Sequence, residues 1–317
     1  MKAVIYTIIA LLAFAANSLL CRMALAEGYI DPWNFTILRL FSGAVCLGLI
    51  MTVHAQRLRT NAASSMSTAN NERTSSDQQS YTQAILSDKG SWLSSASLAV
   101  YALCFSLAYV ELDTGTGALI LFAAVQFTMI GWGIYQKEHL SIVQWLALGV
   151  ALVGFVYLML PSVAVPSLMG AIVMALSGIA WGIYSIRGKT CISPLRATGF
   201  NFIRSLVALP LLLIIALSYF GSITLRGIVL ASVSGALTSG VGYCLWYVAM
   251  PLLKSTQAAV VQFCVPVLAA LAGVLFLSEP LTLRFIIATI IILGAVSVFV
   301  LNKQTPSVIH MAETKAH

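Results

Sequence analysis

Apolar residues occur along this chain in runs of about 20, the length that an α-helix needs to cross a hydrocarbon core roughly 30 Å thick. The strands of an outer-membrane barrel would instead give segments of about ten residues with alternating polarity. Only 9% of the 317 residues are charged, against about a quarter in a soluble domain, so the chain has too little polar surface to fold in water. The sequence therefore predicts an all-α integral membrane protein.

The positions of the apolar runs define the expected helices. We predict about ten transmembrane helices, with ends uncertain by about 3 residues, at 4–26, 33–53, 92–111, 115–135, 141–160, 168–187, 197–219, 226–249, 255–277 and 283–301. Residues 54–90 are rich in Ser, Thr, Asn and Gln and have little apolar surface to bury, so we expect a flexible cytoplasmic linker there. The tail at 302–317 is expected to be disordered.

Lysine and arginine are unevenly distributed between the connections. With the amino terminus inside, the outer connections hold only Arg226, with Arg22 and Arg284 at helix ends, and the other connecting cations fall on the inner side. Cationic connections are retained in the cytoplasm, so both termini are expected there, and the net charge of +7 needs no nucleic-acid partner. Short loops and the lack of a sorting signal favour a bacterial cytoplasmic membrane, with an organellar relative left open.

Residues that would support catalysis or metal binding are sparse. The six cysteines have no metal-ligand spacing, so we expect neither a metal nor another cofactor. An intramembrane enzyme would need a His, Asp or Cys constellation at membrane depth, and the predicted helices show none. No Asp, Glu, His or Lys lies mid-helix, which favours facilitated diffusion or exchange over strict proton coupling. Coupling through Glu111, Asp113 or a titratable substrate stays open.

The chain also repeats itself. Placing Phe105 on Trp246 and sliding without gaps pairs Glu138 with Glu279, and a second offset places Phe14 on Trp181. The halves 4–160 and 168–301 then hold five helices each, and an odd number makes the second half inverted relative to the first. Inverted halves predict a midplane site and alternating access, whereas chance similarity between apolar helices is the competing explanation.

The ordered motifs of the two halves resemble the drug/metabolite transporter superfamily, specifically its two-copy EamA-type members, over about residues 4–301 apart from the linker. The matching segments are Phe14-Ala15-Ala16-Asn17-Ser18 and Trp181-Gly182-Ile183-Tyr184-Ser185, Arg22 and Lys189, Leu38-Arg39 and Ile203-Arg204, Glu138-His139-Leu140-Ser141 and Glu279-Pro280-Leu281-Thr282. The resemblance implies two five-helix EamA-like repeats and a secondary carrier of small metabolites, often an exporter, with amino acids among its substrates. The halves differ, since Val125 stands where the second half has Pro266.

Polar and aromatic residues within the predicted helices are candidate substrate ligands, because a polar group there must find a partner or face a wet cavity. Arg39 would hold a carboxylate or phosphate, the amides would bind polar groups, and aromatic rings would wall the cavity. The candidates are Asn17, Arg39, Tyr101, Gln126, Trp181, Tyr184, Tyr243, Trp246 and Gln262. Alternatively, Arg39 reaches outward to Asp31 or Glu27, and the amides bond between helices. Tyr109 and Tyr135 are expected at the membrane interface.

A second group of residues is expected to be structural or to act in gating. Arg204 would bond carbonyl groups of a neighbouring helix, and Pro266, like Pro210, would kink its helix. Glu138 and Glu279 would each accept backbone N–H groups at the start of the helix that follows.

These patterns predict a secondary transporter of small polar or zwitterionic metabolites such as amino acids, which works by alternating access. The resemblance implies that the direction of transport is export. The alternatives are an antiporter of phosphate esters or nucleotide sugars, which would need several cations in the cavity, and a non-transporting receptor or scaffold. The expected partners are a small-molecule substrate and the lipid bilayer.

Overall fold

The computed structural model describes residues 2–68, 72–112, 114–138, 140–159, 167–217, 223–277 and 283–302, and its regular secondary structure within them is entirely helical. The α-helices are α1 Lys2–Ala26, α2 Pro32–Thr68, α3 Glu72–Ser87, α4 Trp92–Glu111, α5 Thr114–Tyr135, α6 Ile142–Met159, α7 Leu168–Arg187, α8 Pro194–Ser205, α9 Leu209–Ala216, α10 Leu225–Val233, α11 Gly242–Ala249, α12 Ser255–Val261, α13 Cys264–Leu277 and α14 Leu283–Leu301. A π-helix, Ser234–Val241, joins α10 to α11. The all-α class is therefore confirmed.

Seven helical stretches among the described residues are long and apolar enough to cross a membrane: Ala3–Ala26, Pro32–Asn61, Trp92–Glu111, Leu168–Thr190, Pro194–Ala216, Leu225–Leu252 and Ser255–Gly273. Three shorter apolar stretches lie at Ile120–Tyr135, Ile142–Gly154 and Ile290–Phe299. The outward sides of these helices carry many exposed apolar residues, as expected for a surface that faces lipid. The chain is an integral membrane protein.

The segment at 54–90 differs from the sequence-based expectation. Helix α2 continues to Thr68, and α3 occupies most of the remainder and packs against α2. The prediction of a flexible linker rested on its polar composition. However, residues 54–89 contain neither glycine nor proline, the two residues that most disfavour a helix, and the first glycine, Gly90, follows the end of α3 with a φ of 62°, which suits a glycine. The tail beyond 302 lies outside the described residues.

The connections between helices meet at two opposite faces of the bundle. At one face the Asp88 carboxylate accepts hydrogen bonds from the backbone N–H groups of Ile192 and Ser193, both at 2.8 Å, and Lys189 approaches Glu138. This face also carries Lys89, Lys137, Arg187 and Lys254, and we call it the basic face. At the opposite face the backbone N–H of Thr224 donates to the carbonyl oxygen of Tyr29.

Small residues allow several helices to approach closely, and Gly178 and Gly182 of α7 are examples. A Cβ atom on Gly178 of α7 would overlap the carbonyl oxygen of Leu121 in α5, and one on Gly182 would lie 2.8 Å from Thr128. The π-helix approaches α2 in the same way, since a Cβ on Gly235 would overlap the carbonyl oxygen of Arg39. The α2 backbone and the π-helix can therefore be in contact only if residue 235 has no side chain.

The contact at Gly235 can be tested by the smallest possible side chain. We expect Gly235→Ala to lower stability by about 1–3 kcal/mol, the usual cost of overpacking a filled site. The measurement is the thermal unfolding midpoint of the purified protein in detergent. The matched control is Gly48→Ala, because a Cβ at Gly48 of α2 would meet nothing within 4 Å. Equal midpoints for the two variants would contradict the close contact.

Candidate functional site

Arg39 lies at the centre of the bundle with only 1% of its surface exposed. Its Nε atom donates to Ser239 Oγ at 3.0 Å, and Nη2 donates to the hydroxyls of Tyr243 at 2.6 Å and Tyr101 at 3.2 Å. The guanidinium carbon lies 5.1 Å from the ring centre of Tyr101 and 5.2 Å from that of Phe105. The alternative in which Arg39 reaches outward to Asp31 or Glu27 is wrong, because neutral hydroxyls and rings hold the side chain inside.

The Nη1 atom of Arg39 is buried and has no hydrogen-bond partner among the described residues. The hydrogen bonds of the guanidinium all go to neutral hydroxyls, so no carboxylate in this part of the structure neutralises it through a direct bond. A buried charge left uncompensated costs several kcal/mol. The free N–H groups can donate to an incoming anion, and a planar carboxylate matches the geometry of a guanidinium.

The π-helix positions a polar network that joins α1 to Arg39. Asn17 Oδ1 accepts hydrogen bonds from Ser234 at 2.7 Å, Thr238 at 3.2 Å and Ser239 at 3.3 Å. Residues five apart, such as Ser234 and Ser239, would diverge around an α-helix, whereas the i→i+5 turns of a π-helix bring them to one side. Asn17 Nδ2 also points to the Tyr101 hydroxyl, at 3.5 Å. The local widening of the helix therefore delivers the hydroxyl that binds Arg39 Nε.

Aromatic rings enclose this polar centre. Trp181 of α7 lies 4.6 Å from Tyr243, 4.9 Å from Tyr101 and 5.0 Å from Phe14 between ring centres. Tyr184 stacks on Trp181 at 5.5 Å. The structure thus brings together six of the nine predicted substrate ligands, Asn17, Arg39, Tyr101, Trp181, Tyr184 and Tyr243. All of them are at most 5% exposed, so the site is closed to solvent in this conformation.

The other three predicted ligands bond between helices. Trp246 packs on Phe14 and donates to Ser185 Oγ at 3.0 Å, and Gln262 Oε1 accepts from Trp181 Nε1 at 2.9 Å. Gln126 lies apart from Arg39 and donates to the carbonyl oxygen of Ala259 at 2.7 Å. Gln262 therefore orients a wall of the site, whereas Gln126 joins α5 to α12.

Two predicted interfacial tyrosines have different environments. Tyr135 is 75% exposed, as expected, whereas Tyr109 is fully buried. The expectation for Tyr109 is wrong because its ring packs on Phe105 at 4.7 Å and against Gly117, where a side chain would collide with it.

The predicted structural residues are placed as follows. Arg204 Nη1 donates to the carbonyl oxygen of Lys89 at 2.7 Å, and its guanidinium lies 5.2 Å from the ring centre of Trp92. Pro266 is the third residue of α13, and the helical hydrogen bonding is interrupted just before it, at Gln262 and Phe263. Pro210 similarly follows a 3₁₀ turn at Leu206–Ala208. Glu279 lies outside the described residues.

Glu138 does cap a helix, but not the one that follows it in the chain. Its carboxylate accepts the backbone N–H groups of Ser255 at 2.8 Å and Thr256 at 3.1 Å, and also the Thr256 hydroxyl. Lys189 Nζ lies 3.5 Å away. The expectation that it caps the next helix, α6, is therefore wrong. Burial acts to raise the carboxyl pKa, but the hydrogen bonds from Thr256 and Ser255 and the Lys189 charge hold the pKa of Glu138 below its ordinary value.

Three residues of the polar network are not among the substrate ligands predicted from the sequence. They are Ser234, Thr238 and Ser239. The signal that was available is the density of hydroxyl residues within a glycine-containing helix, Ser-Gly-Ala-Leu-Thr-Ser-Gly-Val. Hydroxyls at that density, opposite an intramembrane asparagine, indicate more than close packing.

Comparison with known proteins supports a transporter. Residues 168–301 match the model of the EamA-like transporter family. The chain is 42% identical over 298 residues to an uncharacterised protein of Pseudomonas aeruginosa, covering 93% of each. It is 27% identical over 202 residues to an uncharacterised transporter of Archaeoglobus fulgidus, covering 62% of this chain and 72% of that one. A solved structure titled only as a protein crystal structure superposes with a TM-score of 0.67 at 17% identity over 94% of this chain and 97% of its own, which shows a shared fold.

The Glu138 contact generates a pH-dependent prediction. We expect Glu138→Gln to lower stability at pH 7 by about 1–3 kcal/mol, because a charged acceptor is lost from two backbone N–H groups. Since the folded pKa lies below the ordinary value of 4.5, this stabilisation is present above pH 4.5 and is lost as the pH falls through the folded pKa. Thermal midpoints of the variant and the parent should therefore differ at pH 7 and converge in acid. A constant difference down to low pH would contradict the assignment.

Proposed function

Because the chain belongs to the EamA-like transporter family, we propose that this membrane transporter is a secondary carrier that exports small polar or zwitterionic metabolites, amino acids among them, by alternating access. The observation that carries the substrate class is the closed centre around Arg39. A single guanidinium with an unpartnered Nη1 atom fits one carboxylate, and the surrounding rings fit the less polar remainder of a small metabolite.

The packing of the helices supports two inverted halves. Five elements of the first half can be matched with elements of the second. The matches are α1 with α7, α2 with α8, α4 with the π-helix and α11, α5 with α12 and α13, and α6 with α14. If the halves are equivalent, each helix–helix contact should have a counterpart between the matched elements. The contact of α4 with α7 maps onto that of α1 with α11, and the contact of α5 with α7 maps onto that of α1 with α13; all four occur. The contacts α2 with α8 and α6 with α14 map onto themselves and also occur. An approximate two-fold relation of this kind underlies alternating access in many carriers.

The alternative substrates, phosphate esters and nucleotide sugars, have less support. Their greater charge would call for several cations that converge on the site. Among the described residues around the central site, Arg39 is the only cation that binds there. Its counterpart Arg204 lies instead at the basic face, where it binds the connection before α4. One guanidinium matches a singly charged carboxylate better than a phosphate ester.

The proposal predicts exchange of carboxylate metabolites through the purified protein. We expect liposomes that contain the protein and are preloaded with the common amino acids to take up at least one labelled amino acid by saturable counterflow. Arg39→Gln should reduce that exchange about tenfold or more, which corresponds to the loss of one charge-assisted hydrogen bond. The matched control is Arg226→Gln, since Arg226 is exposed and its guanidinium binds the hydroxyl and the ring of Tyr29, away from the central site.

The results of this experiment distinguish the proposed substrate class from the alternatives. Unchanged exchange in properly inserted Arg39→Gln protein would remove the proposed ligand for the carboxylate. Exchange of phosphorylated metabolites alone would favour the alternative substrates. We also expect the rate to be insensitive to a pH gradient, because Arg39 stays protonated and the polar groups around it are neutral.

The orientation of the basic face is a separate prediction. Cationic connections are retained in the cytoplasm, so the basic face should lie there. A cysteine introduced at Lys254 should react with a membrane-impermeant thiol reagent in inside-out vesicles and not in intact cells. A cysteine introduced at Arg226, on the opposite face, should show the reverse pattern. Labelling of position 254 from outside intact cells would reverse the topology.

A further inference from the structure

A polar cavity of about 100 Å³ opens at the basic face, between the start of α4, the end of α7 and α8. Its wall includes Ser91, Ser94, Arg187, Asn201 and Tyr247. One water needs only about 10–15 Å³ of such volume, so the cavity can hold several waters or the polar head of a small molecule. It does not include Arg39, and it is therefore distinct from the central site.

One residue that lines this cavity, Asn201, is buried and has a side-chain donor, Nδ2, without a hydrogen-bond partner among the described residues. Thr198 and Tyr184 lie beside Asn201, but neither of them lines the cavity. Buried polar groups are nearly always paired. An unpaired amide donor in the wall of a polar cavity indicates a ligand that provides the missing acceptor.

The groups that remain free at this cavity select an acceptor. Asn201 Oδ1 already accepts the backbone N–H of Ser91, which leaves the amide NH₂ as a donor. The Asp88 carboxylate is occupied by the backbone N–H groups of Gly90, Ile192 and Ser193. The guanidinium of Arg187 contributes the positive charge at the wall. A ligand that presents carboxylate oxygens satisfies the amide donor and faces a cation.

Aromatic contacts link the cavity to Arg39. Tyr247, in the cavity wall, stacks on Tyr184 with ring centres 4.7 Å apart and donates to its carbonyl oxygen at 2.9 Å. Tyr184 in turn lies 6.2 Å from Tyr243, whose hydroxyl binds Arg39. Rotation of the Tyr184 and Tyr247 rings would therefore connect the two polar sites.

We propose that this cavity is a second binding site for the carboxylate group of the transported metabolite, occupied between the basic face and Arg39. The inference rests on the proposed transport function for the identity of its ligand. The preference of the cavity for anions can be tested without knowledge of the substrate.

The first experiment measures that preference by thiol labelling of the full chain. Ser94→Cys places a thiol in the wall with almost no change in shape, in a Cys191→Ala parent because Cys191 also lines the cavity. The probes are two methanethiosulfonates of opposite charge, the ethylsulfonate and the ethyltrimethylammonium. Each rate is divided by its rate with a free thiol, and the parent's background is subtracted. We expect the anion to react about fivefold or more faster, and Arg187→Gln to reduce that ratio. Equal rates, or a faster cation, would overturn the proposal.

The second experiment uses Asn201→Asp in the otherwise unchanged protein. The carboxylate keeps an oxygen that can accept the Ser91 N–H, but it removes the unpartnered NH₂ donor. We expect the half-saturating concentration for counterflow of a labelled amino acid to rise about threefold or more, because one hydrogen bond to the ligand is lost and a like charge is added. The control is Asn302→Asp, which makes the same change at an amide that donates to Ser141 and does not line the cavity.

The outcomes separate the two proposals. An Asn201→Asp variant that exchanges like the parent would overturn the second site and leave the carrier intact. Absence of exchange by the parent for every amino acid would count against the proposed function, while the labelling ratio would still decide whether the cavity selects anions.

Discussion

A guanidinium group can be kept from water only if acceptors stand at fixed positions around it, and this requirement governs the packing around Arg39. Ser239 can reach Nε because the π-helix turns it toward α2. The π-helix can approach α2 because residue 235 is glycine. Tyr243 follows on α11, directly after the π-helix, and binds Nη2. One buried charge thus accounts for the glycine, the altered helix and the tyrosine that meet there.

Features that depend on local sequence could be predicted. The apolar runs identified the membrane helices, and an arginine within one of them indicated a buried polar centre, because few environments tolerate that charge. Features that depend on what a helix meets could not be predicted in this way. Tyr109 looked interfacial by position but packs on Phe105, and Glu138 caps a helix more than a hundred residues later in the chain. The π-helix was missed because its local sequence differs little from that of a tight α-helix.

If the chain consists of the two proposed halves, their matching arginines differ in chemistry. Arg39 of α2 and Arg204 of α8 occupy neighbouring positions in the sequence repeat, and their helices pack against each other. Arg39 is enclosed by hydroxyls, whereas Arg204 binds the carbonyl oxygen of Lys89 and stacks on Trp92. In the second half, Asn201, one helical turn before Arg204, provides the buried unpaired group instead. Under the proposed exchange of halves, the packing would be conserved while the polar groups that face the interior would change.

The unpartnered Nη1 atom also bears on how an empty carrier behaves. In the closed conformation without substrate, a cation is withdrawn from water with one nitrogen unsatisfied, which costs several kcal/mol. A bound carboxylate would supply the missing acceptor and lower the free energy of the closed state relative to the open ones. Under alternating access every crossing passes through a closed state, so the loaded carrier would cross faster than the empty one. Such a carrier favours exchange of one metabolite for another over net flow, because the slow step is the return of the empty site.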